Sequence, residues 1–279
     1  MEKDVQPRLN ARMIGLLVLT AVLLLILSAL YMPAGIDWYE TFRPAGLIVF
    51  RGRSPYAVEG FRYAPWTIAA VLPFAWLPER LGRACFFLVS LSAFGYTAYK
   101  LGAKPLTLGA FLVSPPVLHC LLNANIDWLP LLGFVLPPQI GLFFVIIKPQ
   151  VGIGMAVYWG VKYLRHEGWW KTVKLFAPVS IAVLLSFLLF GFWPMRFVEP
   201  VGFWWNASLW PASIPVGMAL MASALLREKP EYAMAASPCL SPYVLLHSWS
   251  GALVALSRFQ PEMVSAVVGL WIMVILRAF

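Results

Sequence analysis

The chain has 279 residues, of which 61% are hydrophobic and only 12% charged, with a mean hydropathy of +0.79. Those proportions exclude an ordinary soluble globular domain and point to a polytopic membrane protein. The formal charge of +9 would suggest nucleic acid in a soluble chain. Here Lys and Arg cluster at the ends of apolar segments, where they set orientation and meet anionic lipid, so no nucleic-acid partner is expected.

In chain order, Met1 to Arg12 carries Lys3, Arg8 and Arg12 without an apolar core or cleavage site, and reads as a cytoplasmic leader. A first span at 14–32 then places the next segment, 34–63, outside the cytoplasm. Further spans are expected near 64–77, 84–99, 105–122, 128–147 and 149–163. The basic loop YLRHEGWWKTVK follows, and then spans near 173–192, 211–226, 238–256 and 263–276. The expected fold is therefore all-α: one transmembrane domain over 1–279, with about ten helices (8 to 11) and both termini inside. Two features strain that count. Lys100 and Lys104 would face outward, and Pro137–Pro138 interrupts the fifth span, as in a bent helix or a re-entrant hairpin.

The segment 34–63 gathers most of the ionisable residues found outside the cytoplasmic loops. Asp37, Glu40, Arg43, Arg51, Arg53, Glu59 and Arg62 alternate there with Trp38, Tyr39, Phe42, Tyr56, Phe61 and Tyr63. A second outer segment, 193–210, repeats this character, and both are expected to contain short interfacial helices. An aromatic belt anchoring helix ends accounts for the tryptophans but does not require Asp37, Glu40 or Lys148. Cys85, Cys120 and Cys239 lie singly in apolar segments, so no disulfide framework is read. His119, His166 and His247 lack metal-ligand spacing, and neither a metal site nor a cofactor is expected.

Several elements fall in an order that resembles the polyprenyl-phosphate-dependent glycosyltransferases of the C-type superfamily, family 87, which includes bacterial mannosyltransferases. They are Asp37-Trp38-Tyr39, Gly52-Arg53-Ser54-Pro55-Tyr56, Phe61-Arg62-Tyr63-Ala64-Pro65, Lys148-Pro149, Asn206-Ala207-Ser208-Leu209 and Ser241-Pro242-Tyr243. The resemblance implies a cell-membrane enzyme moving a sugar, a hexose such as mannose, from a polyprenyl-phosphate donor to a lipid or glycan acceptor on the outer face. Such a transfer needs a base for the acceptor hydroxyl and cations for the departing phosphate. Asp37 is the candidate base, with Glu40 as alternate. Lys148, Arg51, Arg53, Arg62, Tyr56, Tyr63 and Asn206 are candidate donor contacts. Asp37 as a helix cap, and Lys148 snorkelling to head groups, are the competing structural roles.

The pattern is not followed throughout. Asn123-Ala124-Asn125-Ile126-Asp127 stands where the family has a Gly-Gln-Asn element, and His247-Ser248 replaces an expected aspartate. A non-catalytic membrane subunit, keeping the fold and binding lipids and partner subunits, is accordingly the alternative.

Overall fold

The computed structural model describes residues 11–197 and 206–278, and among these every regular element is helical. Helix α1 (Ala11–Tyr31) leads to a π turn, Trp38–Phe42, that runs directly into α2 (Arg43–Phe50). The chain continues through α3 (Thr67–Ala75), α4 (Glu79–Lys100), α5 (Pro105–Leu112), α6 (Pro115–Asn123), α7 (Trp128–Gly133) and α8 (Pro138–Val145). It ends with α9 (Pro149–His166), α10 (Trp169–Phe190), α11 (Ile214–Arg227), α12 (Pro230–Cys239), α13 (Ser250–Val254) and α14 (Gln260–Ala278).

Proline punctuation, more than hydropathy, sets these boundaries. Helices α5, α6, α8, α9 and α12 each begin on a proline, where the missing N–H costs nothing and φ is already helical. The residue before each proline is driven out of the α region: Ser114 (ψ 146°), Lys148 (ψ 91°) and Lys229 (ψ 105°) are all extended. The apolar run 105–122 is thereby split into α5 and α6, which meet at a 52° bend. The run 128–147 becomes the α7–α8 hairpin, the broken form that Pro137–Pro138 foreshadows.

Fewer helices can cross a membrane unaided than the ten expected. Among the described residues, α4 and α10 are long and apolar enough, and α5 with α6 is a third if the bent pair is one span. The nine residues of α3 reach only about 13 Å, far short of a hydrocarbon core. The expected span 238–256 is not one helix either: it divides among the end of α12, an extended stretch, a 3-10 turn at Leu246–Trp249 and α13.

The exposed surface of several helices is nonetheless strongly apolar, which is compatible with membrane association. Only 17% of the best apolar window of α10 is buried, and Ile181, Leu184, Leu185, Leu188 and Leu189 face outward. Leu16, Val18, Leu19, Val22, Leu23 and Ile26 do the same on α1. Aliphatic surface on this scale is expected against lipid rather than water.

Two ends of the bundle can be told apart. At one, Arg83, the fifth residue of α4, donates to the carbonyls of Ala34 (2.9 Å), Leu121 (2.6 Å) and Leu122 (3.0 Å). It thus ties the segment after α1 and the C-terminal carbonyls of α6 to α4. Gly35, at φ +78°, fits against the Arg83 side chain and the Asn123 backbone, where a Cβ would lie 3.0 Å from both. Arg83→Leu is expected to lower stability by about 1–3 kcal/mol, read as thermal unfolding in detergent, because three carbonyls, that of Leu121 buried, lose a charged donor.

At the other end, Arg258 Nε donates to Leu101 O, His166 Nε2 meets Glu228 Oε1 at 2.6 Å, and Arg165 reaches Leu225 O. Because α1 ends and α4 begins at the Arg83 end, the segment 34–78 returns to its own side without crossing. Lys100 and Lys104 therefore lie at the Arg258 end with Arg165, Arg227 and Lys229, which removes the strain in the expected topology. Helix α14 starts beside Leu101, and its Trp271 Nε1 donates to Val113 O. It ends toward the Arg83 side, so α1 begins and α14 finishes at opposite ends of the bundle, contrary to the expectation of both termini together.

Helices α9 and α12 pack where small residues let them approach. A Cβ on Gly154 would sit 2.2 Å from Ala233 O, and the Gly154 N–H donates to Ser237 Oγ at 3.0 Å. Since backbone is what blocks the methyl, Gly154→Ala should cost about 1–3 kcal/mol in an unfolding measurement.

Candidate functional site

The π turn at Trp38–Phe42 is fastened from within. Trp38 and Phe42 are fully buried, packing on Phe86 at 5.3 and 6.4 Å between ring centroids, and Phe42 also meets Tyr63 at 5.3 Å. Asp37 precedes this turn with helical backbone angles (φ −69°, ψ −32°), and its carboxylate makes no capping hydrogen bond. The helix-cap role is thus not the one Asp37 plays.

Its partner comes from 88 residues further on: Asn125 Nδ2 donates to Asp37 Oδ2 at 2.7 Å. Asn125 reaches this position because Ala124 ends α6 in the left-handed conformation (φ 59°), with the Asn125 N–H bonded back to Cys120 O. Asn125 Oδ1 accepts from Lys148 Nζ (2.6 Å) and from the Ile126 N–H (2.7 Å). Lys148 is brought here by its extended backbone just before Pro149, between α8 and α9. Its ammonium is ion-paired with Asp127 Oδ1, while Asp127 Oδ2 faces His247 Nδ1 (2.5 Å) and accepts from Ser248 Oγ (3.1 Å). His119 stacks on His247, centroids 5.4 Å apart. A continuous chain of contacts thus runs from Asp37 through Asn125, Lys148 and Asp127 to His247.

This chain borders a cavity of ≈ 510 Å³. Asp37, Thr41, Arg62, Tyr63, Asn125, Lys148, Gln150, Ser241 and Tyr243 are among the residues lining it. It lies at the Arg83 end of the bundle, beside the N-terminus of α9. Tyr63, over whose ring Lys148 Nζ lies at 5.8 Å, is partly buried; loss of solvation first, then the Asp37 and Asp127 carboxylates, push its phenol well above the usual range. It therefore faces the cavity as a protonated hydroxyl.

Of the residues singled out in the sequence, Asp37, Lys148, Arg62 and Tyr63 converge on the cavity. Lys148 differs from expectation in one respect: at 3% exposure and paired with Asp127, it is neither a snorkelling lysine nor a solvated rim cation. Glu40 is exposed and not part of the lining, which leaves Asp37 as the carboxylate at the cavity wall. Arg51 and Arg53 are likewise exposed, at the end of α2 and just after it, because the turn at Gly52 carries them away from the cavity. Tyr56 is buried elsewhere in the loop; its hydroxyl donates to Tyr63 O (2.7 Å) and its ring packs under Arg196 (5.7 Å). Asn206 acts at one remove: its amide donates to Pro242 O and accepts from the Val244 N–H, holding the 241–245 wall of the cavity.

The expected short helix of the second outer segment is present as a 3-10 turn, Trp193–Phe197, and its continuation at 198–205 lies outside the described residues. Among the site residues not singled out as candidates are Asn125, Asp127 and His247. A signal for two of them exists. Asp127 is the sole carboxylate between Glu79 and Glu167, and His247 stands alone among apolar and small residues in its segment. An isolated ionisable group in an apolar stretch is a functional candidate by the reasoning that selected Lys148. Among the described residues no group of three or more His, Cys, Asp or Glu could hold a metal ion.

Fold and site together define an all-helical protein, with two or three helices long and apolar enough to cross a membrane and a polar, charged cavity at one end. No family model, curated protein or solved structure matches the chain.

Proposed function

We propose that this chain is a membrane glycosyltransferase that takes a sugar from a polyprenyl-phosphate donor and delivers it to a lipid or glycan acceptor. The observation that carries this reading is one cavity in which a carboxylate, Asp37, shares the wall with two cations, Arg62 and Lys148. Asp37 accepts the acceptor hydroxyl proton as the anomeric carbon gains positive character. The departing phosphate lies against Arg62 and the N-terminus of α9, where Gln150 lines the cavity and the helix dipole favours an anion. Lys148 contributes at the edge of this region, its charge already shared with Asp127. Tyr63 and Tyr243 supply hydroxyl donors for sugar or phosphate oxygens.

Orientation follows from charge. The end of the bundle bearing Lys100, Lys104, Arg165, Arg227, Lys229 and Arg258 is the cytoplasmic one, and the cavity opens on the outer side. Helix α1 then begins inside, in a chain that crosses the cell membrane several times with α2, α3 and the α7–α8 hairpin confined to the outer half. The donor sugar is a hexose, with mannose the first to try. One observation favours the rival, a non-catalytic membrane subunit: the Lys148 charge is consumed by Asp127. The two readings separate in a transfer assay. Purified protein in lipid nanodiscs, given labelled polyprenyl-phosphate hexoses and membrane-extracted acceptors, should yield labelled acceptor. No product across several donors would overturn the transferase reading.

A further inference from the structure

Asn125 has an amide whose orientation is settled by its neighbours. Its Oδ1 sits 2.6 Å from Lys148 Nζ and 2.7 Å from the Ile126 N–H, and both of these groups can only donate. The amide nitrogen is therefore the atom that faces Asp37 Oδ2 at 2.7 Å, and the alternative amide flip would set donor against donor. At 1% exposure Asn125 has no freedom to turn, and the left-handed residue before it, Ala124, fixes the backbone from which it projects. Asp37 is only partly buried, without a capping bond, at the head of a π turn. Among the described residues its Oδ1 accepts no hydrogen bond, so one carboxylate oxygen is clamped and the other is left for the cavity.

We infer that Asn125 is the positioning residue of the site: it locks Asp37 through one oxygen so that the other meets the acceptor hydroxyl. This rests on the transferase reading above and adds a role the reading does not need. Lys148 and Asp127 enter as the support for the clamp. The ammonium holds Asn125 Oδ1, Asp127 holds the ammonium, and His247 and Ser248 hold Asp127. The buried ion pair thereby serves a geometric purpose that a free phosphate-binding lysine would not. A misplacement of about 1 Å at a reacting group is enough to lose on the order of a hundredfold in rate.

The test is Asn125→Asp in full-length protein in nanodiscs. The substitution keeps the shape and both acceptor contacts to Lys148 and the Ile126 N–H, but it replaces the donor by a carboxylate oxygen facing Asp37. Asn125→Leu removes the donor without adding charge, and the two variants are measured together. The expected result is a fall in kcat of about 30- to 100-fold with donor KM changed less than about threefold. The Asp37 carboxylate band, isolated as the infrared difference between wild type and Asp37→Asn, should shift in the Asn125→Asp background as its hydrogen bond is lost. Asn125→Leu, which cannot donate, should reproduce both effects. Wild-type kcat in the variant, or an unmoved band, overturns the inference and leaves the transferase reading standing. A rise in donor KM matching the loss of rate also overturns it, since that is what general disruption of the cavity would give. If wild type itself transfers nothing, the transferase reading falls and the positioning role with it.

Discussion

Lys148→Ala is expected to destabilise the protein by about 3–5 kcal/mol, an effect far larger than the loss of a lipid-facing lysine. Lys148 is 3% exposed and Asp127 is fully buried, so removing the ammonium strands a carboxylate in the interior. His247 and Ser248 remain on its second oxygen, but neither supplies the same fixed charge. Asn125 loses one of its two donors at the same time. Replacing both members of the pair by apolar residues, as in Lys148→Met with Asp127→Leu, should be less harmful than Lys148→Ala alone, because no buried charge is left over. Denaturant unfolding in detergent micelles measures all of these variants. A Lys148→Ala protein within about 0.5 kcal/mol of wild type would show that the lysine snorkels to the membrane surface instead. A consequence for enzymology is that weakened donor binding in Lys148→Ala is uninformative unless folding is measured alongside.

Much of the site was legible in the sequence because charge is so sparse. In a chain with 12% charged residues, Asp37, Arg62 and Lys148 stand out against their surroundings, and they do share a cavity. Their inner partners were harder to see. Asn125 is uncharged, and its importance depends on the left-handed turn at Ala124 and on contacts with residues 88 positions before it and 23 after it. Asp127 lies beside an apolar segment, and only the fold brings His247, 120 residues away, against it.

The helix boundaries failed for a different reason. Mean hydropathy over a window cannot tell a long apolar helix from two short ones divided by an X-Pro step, and Ser114-Pro115, Pro137-Pro138, Lys148-Pro149 and Lys229-Pro230 are all such steps. Reading the prolines as helix starts would have split 105–122 at Pro115 and 128–147 at Pro138. The side on which Lys100 and Lys104 lie was misjudged because 64–77 counts as a crossing by hydropathy, whereas α3 is too short to be one.

The central claim is that Asp37 is a base. Asp37→Asn retains the size of the side chain, and its carbonyl oxygen can still accept from Asn125, so the protein should fold and bind donor. It cannot take the acceptor proton, and general-base catalysis contributes about 10²–10⁴-fold. The decisive measurement is single-turnover transfer of labelled hexose from a polyprenyl-phosphate donor by wild type and Asp37→Asn in the same nanodiscs, with donor binding measured in parallel. The account predicts that the variant binds donor as wild type does and transfers at least about a hundredfold more slowly. Equal transfer rates in the two proteins would contradict it.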